Sequence, residues 1–583
     1  MILQALVEHY ETLAAQGRLD RPGWAKSKIS FALEINGAGE LTQTIPMKTE
    51  EPRGNKTVLV PRTFALPAPK KRTVGIDPNF LWDNSSYLLG VDSKGKPKRS
   101  QECFAACRQL HRRLLDGVDT PAAKALLAFF DRWDPSLASE HPALKADWEE
   151  IVSGGNLVFR CDGDFIQEDP LIRQAWQDYY DGAGEGPELV CLVTGKKGPA
   201  EAVHPSVKGV AGAQSSGAAL ISFNAPAFCS YGREQSLNAP MSKHAAFAYT
   251  AALNYLLADR EHLTRIGDTT VLFWAKNGGN AYQDLFAGYA LGGAAPSYTA
   301  ADLAKMAKDL LQGNKVLYDE TLLDPNMEFY ILGLAPNAAR LSVRFFLRNS
   351  FGGFLQNVQA HQDRLEIVRP SYDHFEPLPL WKMLDETVNQ NSRDKSPAPN
   401  LAGETLRAVL TDTRYPAILL NGAVLRIRAE KEVTRGRAAI LKAYYLKNPH
   451  PDISKPEEVL TVSLNPNSTS IPYNLGRLFS VLEAIQSAAN HGINTTIKDR
   501  YFNSASAIPS RVFPTLVNLA QKHLRKLERG RRIDYDKQLT ELFAKLGEFY
   551  PDRMSLPQQG AFQLGYYHQT QARYQKKEEK ENV

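Results

Sequence analysis

Asp92, Ser93 and Lys94 follow a short apolar run, YLLGV at 87–91, with Asp77 and Asp83 upstream. Two acids and a lysine around a strand end are how many metal-dependent nucleases are built: the carboxylates hold a divalent ion and the lysine orients the attacking water. The same string also suits an ordinary turn, as Asp162-Gly163-Asp164 suits a glycine turn with flanking acids. Other catalytic patterns are missing. GKKG at 195–198 lacks the upstream glycine and the following Ser or Thr of a phosphate-binding loop. No GxGxxG after a strand, GxSxG, HExxH, CxxC or His-Asp pair occurs. Cys103 and Cys107 lie one helical turn apart on or beside an apolar face, which suits buried small residues better than metal ligands. No cofactor or metal is expected, and the nuclease built on Asp77, Asp92 and Lys94 is the alternative to a binding role.

Charge is the stronger signal. The net value of +5 hides a separation along the chain. Residues 52–113 hold 13 Lys and Arg against four acids, 426–447 seven against two, and 498–537 ten against four. Residues 131–190 reverse this, with 14 acids against four cations. Gathered cations can follow a phosphate backbone, and gathered carboxylates repel it. The residues proposed for DNA contact are Lys26, Lys28, Arg62, Lys70, Lys71 and Arg72 near the N-terminus and Lys208 in a glycine-bearing loop at 204–217. Toward the C-terminus they are Lys522, Arg525, Lys526 and Arg529 on one helix face, with Arg531 and Arg532. Gly209, Gly212 and Gly217 let the loop backbone approach another surface, and Gln214 could offer its amide to a base edge in a groove. A flexible hairpin tip is the plainer reading of that loop.

These residues need elements to hold them. Apolar spacing predicts a helix at 1–17, strands at 24–36, 57–61 and 87–91, and an extended proline-bearing loop at 61–78. Helices are expected at 100–115, 121–131 and 143–152. NLVFRCDG, ELVCLVTG and AALISFN make 155–230 β-rich. A helix at 242–258, a strand at 269–275, a helix at 300–312 and a hairpin over 327–348 follow. The fold class expected is α+β. Its division is a mixed N-terminal domain at 1–376, a polar linker at 377–400 and an all-helical domain at 401–583. Helical periods run at 402–412, 416–429, 434–446, 474–489, 508–528, 535–548 and 559–575. No run of 18 apolar residues occurs, and the first helix lacks the marks of a signal peptide. With five cysteines in 583 residues, a cytoplasmic protein with no membrane contact is expected.

Four strings together carry a resemblance: DPNFLWDNSSYLLG (77–90), LISFNAPAFCSYGREQSLNAPMSKHAAFAYTAALNYLL (220–257), FYILGLAPNAARLSVRFF (329–346) and GRLFSVLEAIQSAANHGINTTIKDRYFNSASAIPSRVFPTLVNLAQKHLRKL (476–527). The chain resembles the large subunit of the type I-C CRISPR surveillance complex, Cascade (the Csd1 family), over nearly its whole length. The resemblance implies a non-catalytic subunit that reads the protospacer-adjacent motif (PAM) in double-stranded DNA, aids duplex opening and holds the displaced strand. It implies CRISPR RNA, backbone and 5′-handle-binding subunits, a small subunit and a helicase-nuclease as partners. In this family the small subunit is made from the same message by internal translation, and the 462–583 part resembles it. No methionine lies between Met383 and Met554, so a bundle-sized product would start at Met383 or at a non-AUG codon, with Val462 the position expected. A scaffold touching only protein is the third reading.

Overall fold

The computed structural model describes residues 1–53, 56–70, 75–182, 187–260, 262–292, 298–374, 377–393, 395–398, 400–548 and 550–581. It has the α+β class expected, mixed α/β first and helical afterwards. Two compact units divide the chain: residues 1–205 with 221–253, and residues 206–220 with 254–583.

In the first unit, strand Phe31–Ile35 is buried along its whole length. It pairs in parallel with Asn156–Cys161 and antiparallel with Leu41–Pro46, and Trp82–Asn84 closes the far side of Asn156–Cys161. Helix Pro97–Leu115 packs on helix Pro121–Arg132, which lies on this sheet. The second starts on Thr120, whose hydroxyl caps the Ala123 N–H, and on Pro121, which gives up no helical hydrogen bond there. Its Phe129 and Phe130 meet Phe159 edge-on, at 5.1 and 5.8 Å between centroids.

A smaller sheet orders Trp24–Ile29, Lys56–Pro67 and Lys48–Arg53. The loop expected from residue 61 is strand as far as Pro67. Its prolines are tolerated because each lies in one ladder only: Pro61 is registered with Lys48 and Pro67 with Trp24. Neither proline therefore has to supply an N–H to a second neighbouring strand. The strand expected at 87–91 is also absent. Asn84 accepts the Ser86 N–H and starts a helical turn, Ser85–Leu88, so the apolar run is buried as a helix end. ELVCLVTG breaks at a turn closed by Gly195 N–H on the Cys191 carbonyl, and AALISFN forms only isolated bridges at Ala218 and Ala219.

The second unit is built on an antiparallel sheet, in the order Leu263–Ile266, Thr269–Ala275, Glu328–Asn337, Arg340–Ser350. The hairpin expected at 327–348 is there, turning at Ala338. Beyond it run helices Leu401–Leu410, Ala417–Glu430, Arg435–Lys447, Ile471–Ala489, Ile497–Ala507, Pro509–Leu524, Arg529–Leu546 and Leu556–Glu581. Helices Ile471–Ala489 and Leu556–Glu581 touch backbone to backbone. A Cβ on Gly476 would stand 1.9 Å from the Phe562 carbonyl oxygen, and one on Gly565 2.0 Å from that of Tyr473. The polar stretch 377–400 does not divide compact units. Its Leu380, Met383 and Leu384 lie in one buried cluster with Phe273 and Phe329 of the sheet and Leu406, Phe479 and Tyr567 of the helices. Helix Ile497–Ala507 is additional to the helices expected, and the single helix expected at 508–528 ends at Leu524, with a new one from Arg529.

Candidate nucleic-acid interface

The N-terminal cations rest on the small sheet. In Trp24–Ile29, Ser27 and Ile29 face inward while Lys26 and Lys28 face out, opposite Ala65 and Thr63. Alternation thus puts both ammonium groups on one face, and neither has a carboxylate partner among the described residues. Arg62 stacks its guanidinium over the Phe64 ring at 4.9 Å. Lys70 is exposed, and its backbone N–H is tied to the Asn79 side chain at 2.9 Å. Lys71 and Arg72 lie outside the described residues.

Three further exposed lysines, Lys94, Lys96 and Lys98, surround the start of helix Pro97–Leu115, whose first turn holds no acid. The sequence shows them as a turn, and cations alternating with Gly and Pro are the signal that they stand in solvent. Farther along that helix the charge is neutralised: Arg112 and Arg108 converge on Asp131 at 2.6 and 3.6 Å.

The acids of the nuclease pattern are held as turn acceptors. Asp92 takes the Lys94 N–H at 2.8 Å and the Ser100 hydroxyl at 2.7 Å. Burial works against its charge, but those bonds and the backbone of Lys96 hold its carboxyl below the usual range. Asp83 is buried and accepts the N–H groups of Asn79 and Asn84 at 2.9 and 2.8 Å. Asp77 and Lys94 are exposed. The strand that the pattern requires is a helical turn. Among the described residues, no three of His, Cys, Asp and Glu come together as a metal site.

The glycine-bearing loop of the second unit is a hairpin. Val207 and Ala218 exchange both backbone hydrogen bonds at its neck. The Lys208 N–H goes to the Asn254 side chain at 2.8 Å, which also donates to the Ser206 carbonyl. Gly209 lies against Leu257 and Gly212 against Pro336, where an added Cβ would come within 3.2 Å. The base is therefore fixed, and the tip turns where the Gly217 N–H bonds the Gln214 carbonyl at 2.9 Å. The side chains of Gln214, Ser215, Ser216 and Lys208 are exposed.

Lys522, Arg525, Lys526, Arg529, Arg531 and Arg532 are all exposed, and none has a carboxylate within 4.0 Å among the described residues. They do not share one helix. Lys522 stands in the last turn of Pro509–Leu524, Arg525 and Lys526 follow it, and Arg529, Arg531 and Arg532 open the next helix. Lys526 reaches Asn490 Oδ1 at 3.2 Å. Arginines at a helix start oppose the positive end of its dipole, and the first turn holds no acid, the nearest being the N-cap Glu528. This arrangement favours an external anion. Five of the seven cations of 426–447, namely Arg426, Arg435, Arg437, Lys442 and Lys447, behave otherwise. Arg437 is buried between Glu430, in hydrogen-bond contact, and Glu386 at 3.4 Å. Arg435 pairs with Asp373 at 3.0 Å and Lys447 with Asp412 at 2.8 Å, and buried Lys442 donates to the Arg364 carbonyl at 3.0 Å.

No helix among the described residues is long and apolar enough to cross a membrane. A comparison with curated proteins gives no match. A family model described as CRISPR-associated protein (Cas_Csd1) matches residues 6–574, so the chain belongs to that family.

Proposed function

We propose that this Csd1-family chain is the large subunit of a type I-C Cascade complex guided by CRISPR RNA. On this reading it recognises the PAM in duplex DNA, aids opening of the duplex and holds the displaced strand. It sits with the backbone and 5′-handle-binding subunits and the small subunit, recruits a helicase-nuclease for antiviral defence, acts in the cytoplasm and does not itself cut. One observation carries the reading: exposed cations without counter-ions, from Lys522 to Arg532. Each phosphate they neutralise would release condensed counter-ions, which favours binding at low salt. The fixed hairpin below Gln214 supports a groove probe, because an amide on a rigid base can read a donor and acceptor pattern without first ordering a loop.

The test uses the assembled complex on duplexes that differ only in the adjacent motif. Gln214→Ala should flatten discrimination among motifs by about tenfold, as expected for loss of one base contact, while affinity for a motif-free duplex stays the same. Unchanged discrimination would remove Gln214 from the reading. Cleavage of plasmid DNA by the purified chain with magnesium or manganese, lost in Asp92→Ala, would overturn the non-catalytic role.

A further inference from the structure

In the first unit, the loop from the short helical turn Pro226–Phe228 to the next, Gln235–Asn238, carries a ring that the fold does not use. Tyr231 is 99% exposed. Its backbone lies in the left-handed region at φ 55°, beside Gly232 at 68°, and Gln235 follows at 48°. Glycine enters that region freely, whereas a bulky L-residue is strained there.

The strained shape is held by other groups. Asn238 accepts the Ser230 N–H at 2.8 Å and donates to the carbonyls of Arg233 and Gln235 at 3.0 and 2.9 Å. The Ser236 N–H is anchored on the Ala202 carbonyl at 3.1 Å. The loop is thus fixed with an aromatic ring where glycine would fit better, and the ring gains almost no packing in return. An outlier of this kind, over-determined by its surroundings, points to a contact outside the molecule.

We infer that Tyr231 is a stacking post for an unpaired base of single-stranded DNA. This rests on the DNA-binding role proposed above. Both faces of the ring are open, as a flat partner requires, and bases offer such faces once they leave the duplex. Exposed Arg233, two residues on, stands ready for a phosphate. A protein partner would want a water-excluding rim around the anchor. Here Ser230, Gly232, Arg233 and Glu234 around the ring are polar or bare, and all are exposed.

The experiment uses the full chain with a single-stranded oligodeoxynucleotide containing 2-aminopurine, whose fluorescence falls when an aromatic ring stacks on it. Tyr231→Gly should keep or raise the melting temperature, because it relieves the strained backbone. It should also weaken oligonucleotide binding by about tenfold and abolish the fluorescence change. Tyr231→Phe should retain both. Wild-type binding by Tyr231→Gly, or a lowered melting temperature, would overturn the inference while leaving the proposed function standing. A loss confined to an oligoribonucleotide would do the same by assigning the ring to RNA. If the wild-type chain bound neither duplex nor single-stranded DNA, the DNA-binding role itself would fail, and the inference with it.

Discussion

Two basic stretches of the second unit, 426–447 and 498–537, meet opposite fates. Helix Arg435–Lys447 buries Ala438, Ala439, Ile440, Leu441, Ala443 and Tyr445, so it is apolar around most of its circumference. A cation on such a helix has no solvent side to turn to and must find a partner inside. Helices Pro509–Leu524 and Arg529–Leu546 bury one stripe each: Val512, Phe513, Leu516, Ala520 and Leu524 in the first, and Leu539, Leu542 and Leu546 in the second. The cations of 498–537 that they carry stay in water, with no carboxylate within 4.0 Å among the described residues. The number of cations in a segment therefore says little about where the charge goes. The apolar residues around the cations decide whether they pair within the fold or stand in solvent.

The largest effect should come from breaking the buried side of this contrast. Arg437→Ala leaves Glu386 and Glu430 without their guanidinium, and burial already holds the Glu386 carboxyl above its usual range despite Thr434 and Arg437. Removing one partner of a buried pair costs about 3–5 kcal/mol, read as a shift in the denaturant midpoint. A change below about 0.5 kcal/mol, the usual size for a surface substitution, would show that these cations do not hold the fold together.

Lys442 gives a second contrast through pH. Burial lowers its pKa from 10.5 to about 8, against the opposing pull of Glu366 and Asp363. The folded chain therefore loses this proton before the unfolded chain does. Below about pH 8 both states hold the proton and the folded state bears the full desolvation penalty. From about 8 to 10.5 the unfolded state binds more protons, so stability should rise with pH. The gain is on the order of 3 kcal/mol for a shift of that size. Urea titrations across this window should show the rise in the wild type and lose it in Lys442→Met. An equal rise in the variant would mean that another group causes it.

Much of this is legible in the sequence. Period alone predicts the stripe Val512, Leu516, Leu519, Leu524 and Leu527, of which Val512, Leu516 and Leu524 are buried and Leu519 and Leu527 half-buried, and it predicts the hairpin around PNAA, which is present. RGRAAILKAYYLK stands out by its cations, yet it is apolar around most of its circumference, and that pattern buries them. Helix Ile497–Ala507 announces itself by the capping box of Thr496 and Asp499. Other features depend on residues outside the string that shows them. YLLGV has strand composition, and its helical turn follows from the Asn84 cap. The break between Leu524 and Arg529 has no proline or glycine before it; Leu524 is buried and Leu527 packs on the same core. In the candidate site, the exposure of Lys26, Lys28 and Gln214 follows from alternation and from glycines. The strained position of Tyr231 follows from Asn238, seven residues away, and has no local signature.

The exposed side gives the smallest change in stability and the sharpest change in binding. Replacing Arg529, Arg531 and Arg532 together with Ala removes no ion pair, relieves repulsion at a helix start and adds better helix formers. Stability should therefore stay within about 0.5 kcal/mol of wild type. Binding of single-stranded DNA should weaken at low salt. The slope of log K against log salt should fall by about two if all three arginines meet phosphates, since each contact contributes about 0.7. The arginines then differ from Arg437 in kind: one set acts only when a polyanion is present, and the other acts in its absence. An unchanged slope with unchanged stability would leave the three arginines as solvated charge, and the interface would have to be sought on the face of Lys26 and Lys28 instead.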